Sequence, residues 1–187
     1  MKTRSPYELL PEDIKQGKKC KIIYVARNPK DLCVLNYHFH RMLTGTPDLG
    51  TWEEFLANFC SHKVGLGDWF DHTLKFREKY QEVKERIYVV TYENLKKAFR
   101  KVVESKKCRN NNWTLFLNIV HDSMSKNRST NMSMLRQNSI STKKSEFMRK
   151  GQVGDWRIYF TMNQSLAIDE LYQEKIKGTG FDISFRN

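Results

Sequence analysis

The sequence lacks any apolar run long enough to cross a bilayer, and its N-terminus has no basic-then-apolar leader. Neither a membrane-spanning nor a secreted protein is therefore expected, and the Asn-x-Ser/Thr triplets at Asn112, Asn127, Asn131 and Asn163 read as chance matches. Cysteine is scarce. The four present (Cys20, Cys33, Cys60 and Cys108) are far apart and show no CxxC spacing. That argues against a zinc site and for a reducing, cytoplasmic compartment. Cys33 and Cys60 lie in apolar patterns and read as inert core thiols. There is no internal repeat. Acidic residues are in deficit, with 21 Asp plus Glu against 33 Lys plus Arg, a formal net charge of +12. Such a balance implies an anionic partner: a nucleotide, a nucleic acid or an acidic surface. What is present fits one globular domain with a real core. The chain has 187 residues, of which 39% are hydrophobic and 12% aromatic, which argues against global disorder.

The organising stretch is Lys21-Ile22-Ile23-Tyr24-Val25-Ala26-Arg27-Asn28-Pro29-Lys30-Asp31. The apolar run from Ile22 to Ala26 reads as a strand buried on both faces of a parallel sheet. A helix start follows, with Asn28 suited to the N-cap, Pro29 to the first helical position and Asp31 to the first turn. Strand, cation and helix N-terminus together suit an anion, which Arg27 can meet with a bidentate contact at the carboxyl end of the strand. The competing reading pairs Arg27 with Asp31 or with a helix C-terminus.

Residues 1–20 are polar, and Pro6, Pro11 and Gly17 break any long element there. After Arg27, Leu32, Leu35, Phe39 and Met42 mark a helix whose other positions carry Val34, Tyr37, His38 and His40, so it should be well buried. Thr51 and Glu54 form a capping box for a helix with Trp52, Phe55, Leu56 and Phe59 on one face. Asp68 can cap the next helix, which carries Trp69, Phe70, Leu74 and Phe76 and ends near Tyr80. Residues 87–92 read as a second strand, and Asn94 as the start of a helix bearing Leu95, Phe99, Val102 and Val103. A short helix is expected around Trp113 to Val120, and a last one near Ile168, Leu171, Tyr172 and Ile176, ended by Gly178 and Gly180. Strand, helices, strand, helix is an α/β pattern with right-handed crossovers expected. Between Lys126 and Lys150 lie seven Lys or Arg and one acid, Glu146. A long loop of that kind inside a domain is usually functional or disordered.

The second notable stretch is Phe147-Met148-Arg149-Lys150-Gly151-Gln152-Val153-Gly154-Asp155-Trp156. Two adjacent cations precede two glycines that let backbone N–H groups approach a phosphate. The plainer reading is a basic surface turn.

KIIYVARNPKD, then NYHFHRM, then FMRKGQVGDWRIYFT, in this order and spacing, resemble the cytosolic sulfotransferase family. TWEEFL near residue 51 and VTYENLK near residue 90 extend the likeness over nearly the whole chain. The resemblance implies a P-loop-like α/β fold with a central parallel sheet flanked by helices, here as a single incomplete domain over residues 1–187. It implies sulfuryl transfer from 3′-phosphoadenosine 5′-phosphosulfate (PAPS) to a hydroxyl or amine of a small-molecule acceptor. Residue by residue, it places Arg27 on the cofactor's 3′-phosphate and Arg149, Lys150 and Gly151 around the same phosphate. It sets Tyr92 near the nucleotide, Ser123 and Met124 beside the adenine, and Phe39 in the acceptor pocket.

Three departures accompany these matches. The family's phosphosulfate loop, of the type TYPKSGTTW, and its strand are absent from these residues and are expected before residue 1. Sulfuryl transfer depends on positioning and on charge stabilisation at the bridging oxygen, which that loop supplies. At the family's base position, in a Lys-Thr-His-x-Pro run, this chain has Lys2-Thr3-Arg4-Ser5-Pro6. An arginine, with a pKa above about 12, takes no proton from an acceptor hydroxyl near neutral pH, whereas Lys2 can stabilise charge. The serine that partners the phosphate arginine is replaced by Leu35. The dimer motif is degraded as well, with Arg157, Thr161-Met162 and Leu166 in place of its residues, which leaves the oligomeric state open. The expectation is a sulfotransferase-family chain impaired in catalysis. The alternative is a non-catalytic binder of adenosine 3′,5′-bisphosphate-type nucleotides. Nucleic-acid binding by residues 126–150 is disfavoured, because the interleaved aromatics of single-strand binders are missing there. His38 and His40 are expected to be structural rather than substitute bases.

Overall fold

The computed structural model describes residues 3, 5–16, 21–42, 48–61, 63, 68–97 and 152–178. Among these, two strands form one parallel pair. Strand β1 (Ile22–Ala26) lies beside β2 (Ile87–Thr91), with Ile22 opposite Ile87 and Ala26 opposite Thr91. Three helices run between them: α2 (Pro29–Met42), α3 (Trp52–Cys60) and α4 (Trp69–Glu82). Before β1 lie a 3-10 turn at Tyr7–Leu9 and the short α1 (Glu12–Lys15), as the two prolines demand. After β2, residues 92–97 are helical. A 3-10 turn at Asp155–Ile158 then leads into α5 (Met162–Lys175). The fold is α/β with a parallel sheet and packed helices, as the sequence implies.

The local signals that start these helices are the expected ones. Thr51 accepts from the Glu54 N–H while Glu54 accepts from the Thr51 N–H, a complete capping box. Thr161 and Gln164 repeat that arrangement at α5. Asp68 accepts from the Phe70 and Asp71 N–H groups at the head of α4. Asn28 accepts from the Lys30 N–H at 2.9 Å, as an N-cap does.

The core has two parts. One joins α2, α3, α4 and α5 through Cys33, Val34, Tyr37, Phe55, Leu56, Phe59, Phe70, Phe160, Ile168 and Ile176. The other covers one face of the strand pair with Tyr7, Leu10 and Phe76 over Tyr24, Ala26 and Ile87. Tyr24 stacks on Phe76 with ring centroids 4.4 Å apart, and its hydroxyl lies 3.1 Å from Thr73 Oγ1. Burial pushes the Tyr24 hydroxyl up to about 12, with the Thr73 bond opposing the shift. Arg86 ties the N-terminal segment to this core by donating to the carbonyls of Ile14 and Lys15.

Three expectations are corrected. The strand is not buried on both faces: Ile23 and Val25 are 43% and 45% exposed, while Tyr24 and Ala26 are buried. Side chains alternate across a strand, and here helices and the N-terminal segment cover one side of the pair. On α2 the most buried apolar positions are Cys33, Val34 and Tyr37, one step round from Leu32, Leu35 and Phe39. The α4 expectation holds: Trp69, Phe70 and Phe76 are buried, Leu74 packs against the core, and the helix ends at Glu82, near Tyr80, with Thr73 fully buried as well. The helix after β2 begins at residue 92 rather than 94, with Thr91 Oγ1 accepting from the Asn94 N–H. The polar-looking N-terminal segment also contributes Tyr7 and Leu10 to the core. The helix expected near Trp113, the positions Phe99, Val102 and Val103, the basic stretch 126–150 and Gly180 lie outside the described residues.

Among the described residues, no helix is long and apolar enough to cross a membrane. No group of His, Cys, Asp and Glu there has the arrangement of a metal site.

Candidate functional site

Pairing Ala26 with Thr91 brings the carboxyl ends of both strands together, so that Arg27 and Tyr92 leave the sheet side by side. The Arg27 guanidinium sits over the Tyr92 ring, 4.6 Å from its centroid. Stacking uses the flat face of the cation and leaves its edges to donate. One edge, Nη2, donates to the Gln152 carbonyl at 3.0 Å. The Nε–H is buried with no partner among the described residues. A buried cationic donor is costly unless an acceptor meets it.

The backbone beneath Arg27 is fixed by carboxylates. The Asn28 N–H donates to Glu93 Oε1 at 3.0 Å, which links the two strand ends. Glu93 is buried, and its Oε2 has no partner among the described residues. Asp31 is 2% exposed and accepts two backbone N–H bonds, from Gly154 at 2.8 Å and Trp156 at 3.1 Å. Gly154 has φ of 84°, a left-handed conformation that suits glycine. The glycine-bordered turn thus docks on the head of α2. Lys30 reinforces the docking. It is buried, lies over the Trp156 ring at 4.4 Å and donates to Ser165 Oγ and Asp169 Oδ2, each at 2.7 Å.

These contacts bear on one alternative for Arg27, a pairing with Asp31. It does not pair with Asp31, whose oxygens both take N–H groups of the turn. They also revise the role of the helix N-terminus. Residues 28–31 are all buried, and the N–H groups of Asn28 and Lys30 bond within the chain, so those two are not on offer to a ligand. Arg27 is half-buried, and its described polar contact is with the Gln152 carbonyl at the start of the docked turn.

Lys2, Arg4, Ser123, Met124, Arg149, Lys150 and Gly151 lie outside the described residues. Phe39 is half-buried on α2, with its ring 6.3 Å from that of His40. His38 lies 2.9 Å from the Tyr159 hydroxyl, a contact between α2 and the segment after the turn. His40 is buried against Phe55, and burial lowers its pKa. His62 and His121 are outside the described residues, while His72 stacks on Tyr24. Sequence reasoning missed Asp31, Lys30 and Glu93 as the groups that shape the site. The signal for Asp31 was available as an acid in the first turn after a phosphate-type arginine, but its partners lie 123 and 125 positions away.

A parallel strand pair with an arginine at its carboxyl end, and a glycine turn bonded to the helix that follows, defines the α/β class of this protein. Residues 1–180 match the sulfotransferase domain family, and the chain belongs to that family. It is 39% identical over 193 residues to sulfotransferase 1B1 of Mus musculus, covering 96% of this chain and 61% of that protein. It is 38% identical over 194 residues to sulfotransferase 1C2 of Homo sapiens, covering 97% and 63%. The structure of mouse sulfotransferase SULT7A1 complexed with PAP superposes with a TM-score of 0.63 at 33% identity, over 94% of this chain and 64% of that one. Retinol dehydratase, in complex with androsterone and PAP, shares the fold at 20% identity with a TM-score of 0.68, over 96% of this chain and 52% of that one. The chain thus spans about three fifths of the length of the curated relatives it matches.

Proposed function

We propose that this chain carries the nucleotide-phosphate side of a sulfotransferase site and binds adenosine 3′,5′-bisphosphate and PAPS, with little transfer of the sulfuryl group. The observation that carries this reading is Arg27. It is stacked on Tyr92 and bonded to Gln152, the residue after the Arg149-Lys150-Gly151 triplet, and it keeps a buried N–H without an acceptor among the described residues. The PAP held by the mouse relative supports the ligand class.

The residues fit the group. Arg27 offers a planar donor edge to a phosphate, and Tyr92 fixes the plane of that edge. Arg149, Lys150 and Gly151 add two cations and an approachable backbone by the family likeness. Ser123 and Met124 would adjoin the base, and Phe39 the acceptor. PAPS supplies the sulfuryl group for attack by a hydroxyl or amine of a small molecule. What these 187 residues lack is the opposite side of that reaction. Arg4 stands where a proton acceptor is needed, and no TYPKSGTTW-type segment is present to stabilise the leaving group. Lys2 can offset charge there but cannot take the acceptor's proton at neutral pH.

The test is a radiolabelled sulfuryl-transfer assay with a panel of phenols and PAPS. Turnover by the 187-residue chain is expected to stay at the level of the Arg27→Ala variant. Robust turnover would overturn the catalytic part of the proposal.

A further inference from the structure

We infer that Asp31 is a positioning residue for the nucleotide phosphate, holding the glycine turn so that Arg27 is left to bind ligand. The assignment rests on the nucleotide site proposed above. The segment Gln152–Trp156 is gripped at three points. Arg27 donates to its first carbonyl, and Asp31 accepts from its third and fifth N–H groups. The signs are complementary: the cation takes a C=O and the carboxylate takes N–H groups. Asp31 is 2% exposed, and both of its oxygens are committed to the turn. Bonds from a buried carboxylate to backbone N–H groups are charge-assisted and hold a loop to a defined place. They also use an approach in which Gly154 adopts a left-handed φ of 84°.

Without Asp31 the turn keeps only the Arg27 bond and the Lys30–Trp156 stack among these polar contacts. Arg27 would then hold a mobile turn and bind phosphate with the same guanidinium. Asp31 therefore acts through Arg27, and the two residues should be energetically coupled toward a 3′-phosphate. An Asp31→Asn variant puts an amide N–H against a backbone N–H and removes one of the two bonds.

The experiment is a double-mutant cycle read by calorimetry, with adenosine 3′,5′-bisphosphate and adenosine 5′-monophosphate as ligands. Asp31→Asn should weaken the bisphosphate by about tenfold and the monophosphate by less than about twofold. In an Arg27→Ala background, Asp31→Asn should cause no further loss of bisphosphate affinity. Gly154→Ala attacks the same turn from its other side and should reproduce the selective loss, which keeps the test sound if Asp31→Asn folds poorly. A residue that only stabilises the fold would weaken both ligands alike, or add to Arg27→Ala, and either result overturns the inference. If the wild-type chain itself fails to prefer the bisphosphate, the nucleotide reading fails at its root. If it prefers the bisphosphate and Asp31→Asn leaves that preference intact, only the role of Asp31 is lost.

Discussion

In the proposed site, Arg27 would act through shape as much as charge. Its guanidinium lies over the Tyr92 ring, Nη2 is bonded to Gln152, and the buried Nε–H has no acceptor among the described residues. A lysine carries the same charge but neither the plane nor the fork. Arg27→Lys should therefore lose about tenfold in bisphosphate affinity, as expected when one charge-assisted bond goes. Equal affinity would show that a point charge suffices. Tyr24 gives a residue-scale test of the core. Burial raises its hydroxyl to about 12, so the folded chain keeps that proton to higher pH than the unfolded chain does. This contribution to stability is complete below about pH 10, the ordinary tyrosine value, and is lost as pH rises toward 12. Its full size is about 2 to 3 kcal/mol, at about 1.4 kcal/mol per pH unit. Urea midpoints measured from pH 9 to 11.5 should fall more steeply for the wild type than for Tyr24→Phe. Parallel curves would mean that the hydroxyl is solvated.

At the scale of elements, caps and strands were legible, and contacts between distant segments were not. Thr51 with Glu54, Asp68, and the run from Ile22 to Ala26 are local patterns, and each produced the element it announces. Thr51→Ala should cost about 1 kcal/mol in chemical denaturation, the usual worth of an N-cap. The strand's burial was misread because an unbroken apolar run does not say which faces are covered. Tyr7 and Leu10 cover the Tyr24 side, from a segment that looked polar. Two substitutions check the correction. Val25→Thr on the exposed side should shift stability by less than about 0.5 kcal/mol. Ala26→Val, at a residue 1% exposed, should cost about 1 to 3 kcal/mol by overpacking. Equal costs would restore a strand buried on both faces. Arg27 and the glycine turn were each visible as motifs, but their meeting was not, because 125 positions separate Arg27 from Gln152. Lys30 was hidden for a different reason. A lysine in a helix's first turn is ordinarily solvated, and only the fold supplies Trp156, Ser165 and Asp169 around it.

On the scale of the whole molecule, Arg27 links β1 to α2, lies over Tyr92 at the start of the helical residues 92–97, and bonds the docked turn at Gln152. The net charge of +12 suits a site for a doubly phosphorylated nucleotide. The chain corresponds to about three fifths of the length of its relatives. In the proposed reading Arg27 serves the nucleotide phosphate, and Arg4 stands at the position of the family's proton acceptor. Selectivity for a 3′-phosphate at Arg27 is tested most directly by calorimetric titration of the wild-type chain and Arg27→Ala. Adenosine 3′,5′-bisphosphate should bind the wild type at least about tenfold more tightly than adenosine 5′-monophosphate, with the difference erased by Arg27→Ala. No heat with either ligand up to millimolar concentration, or equal affinity for the two, would contradict it.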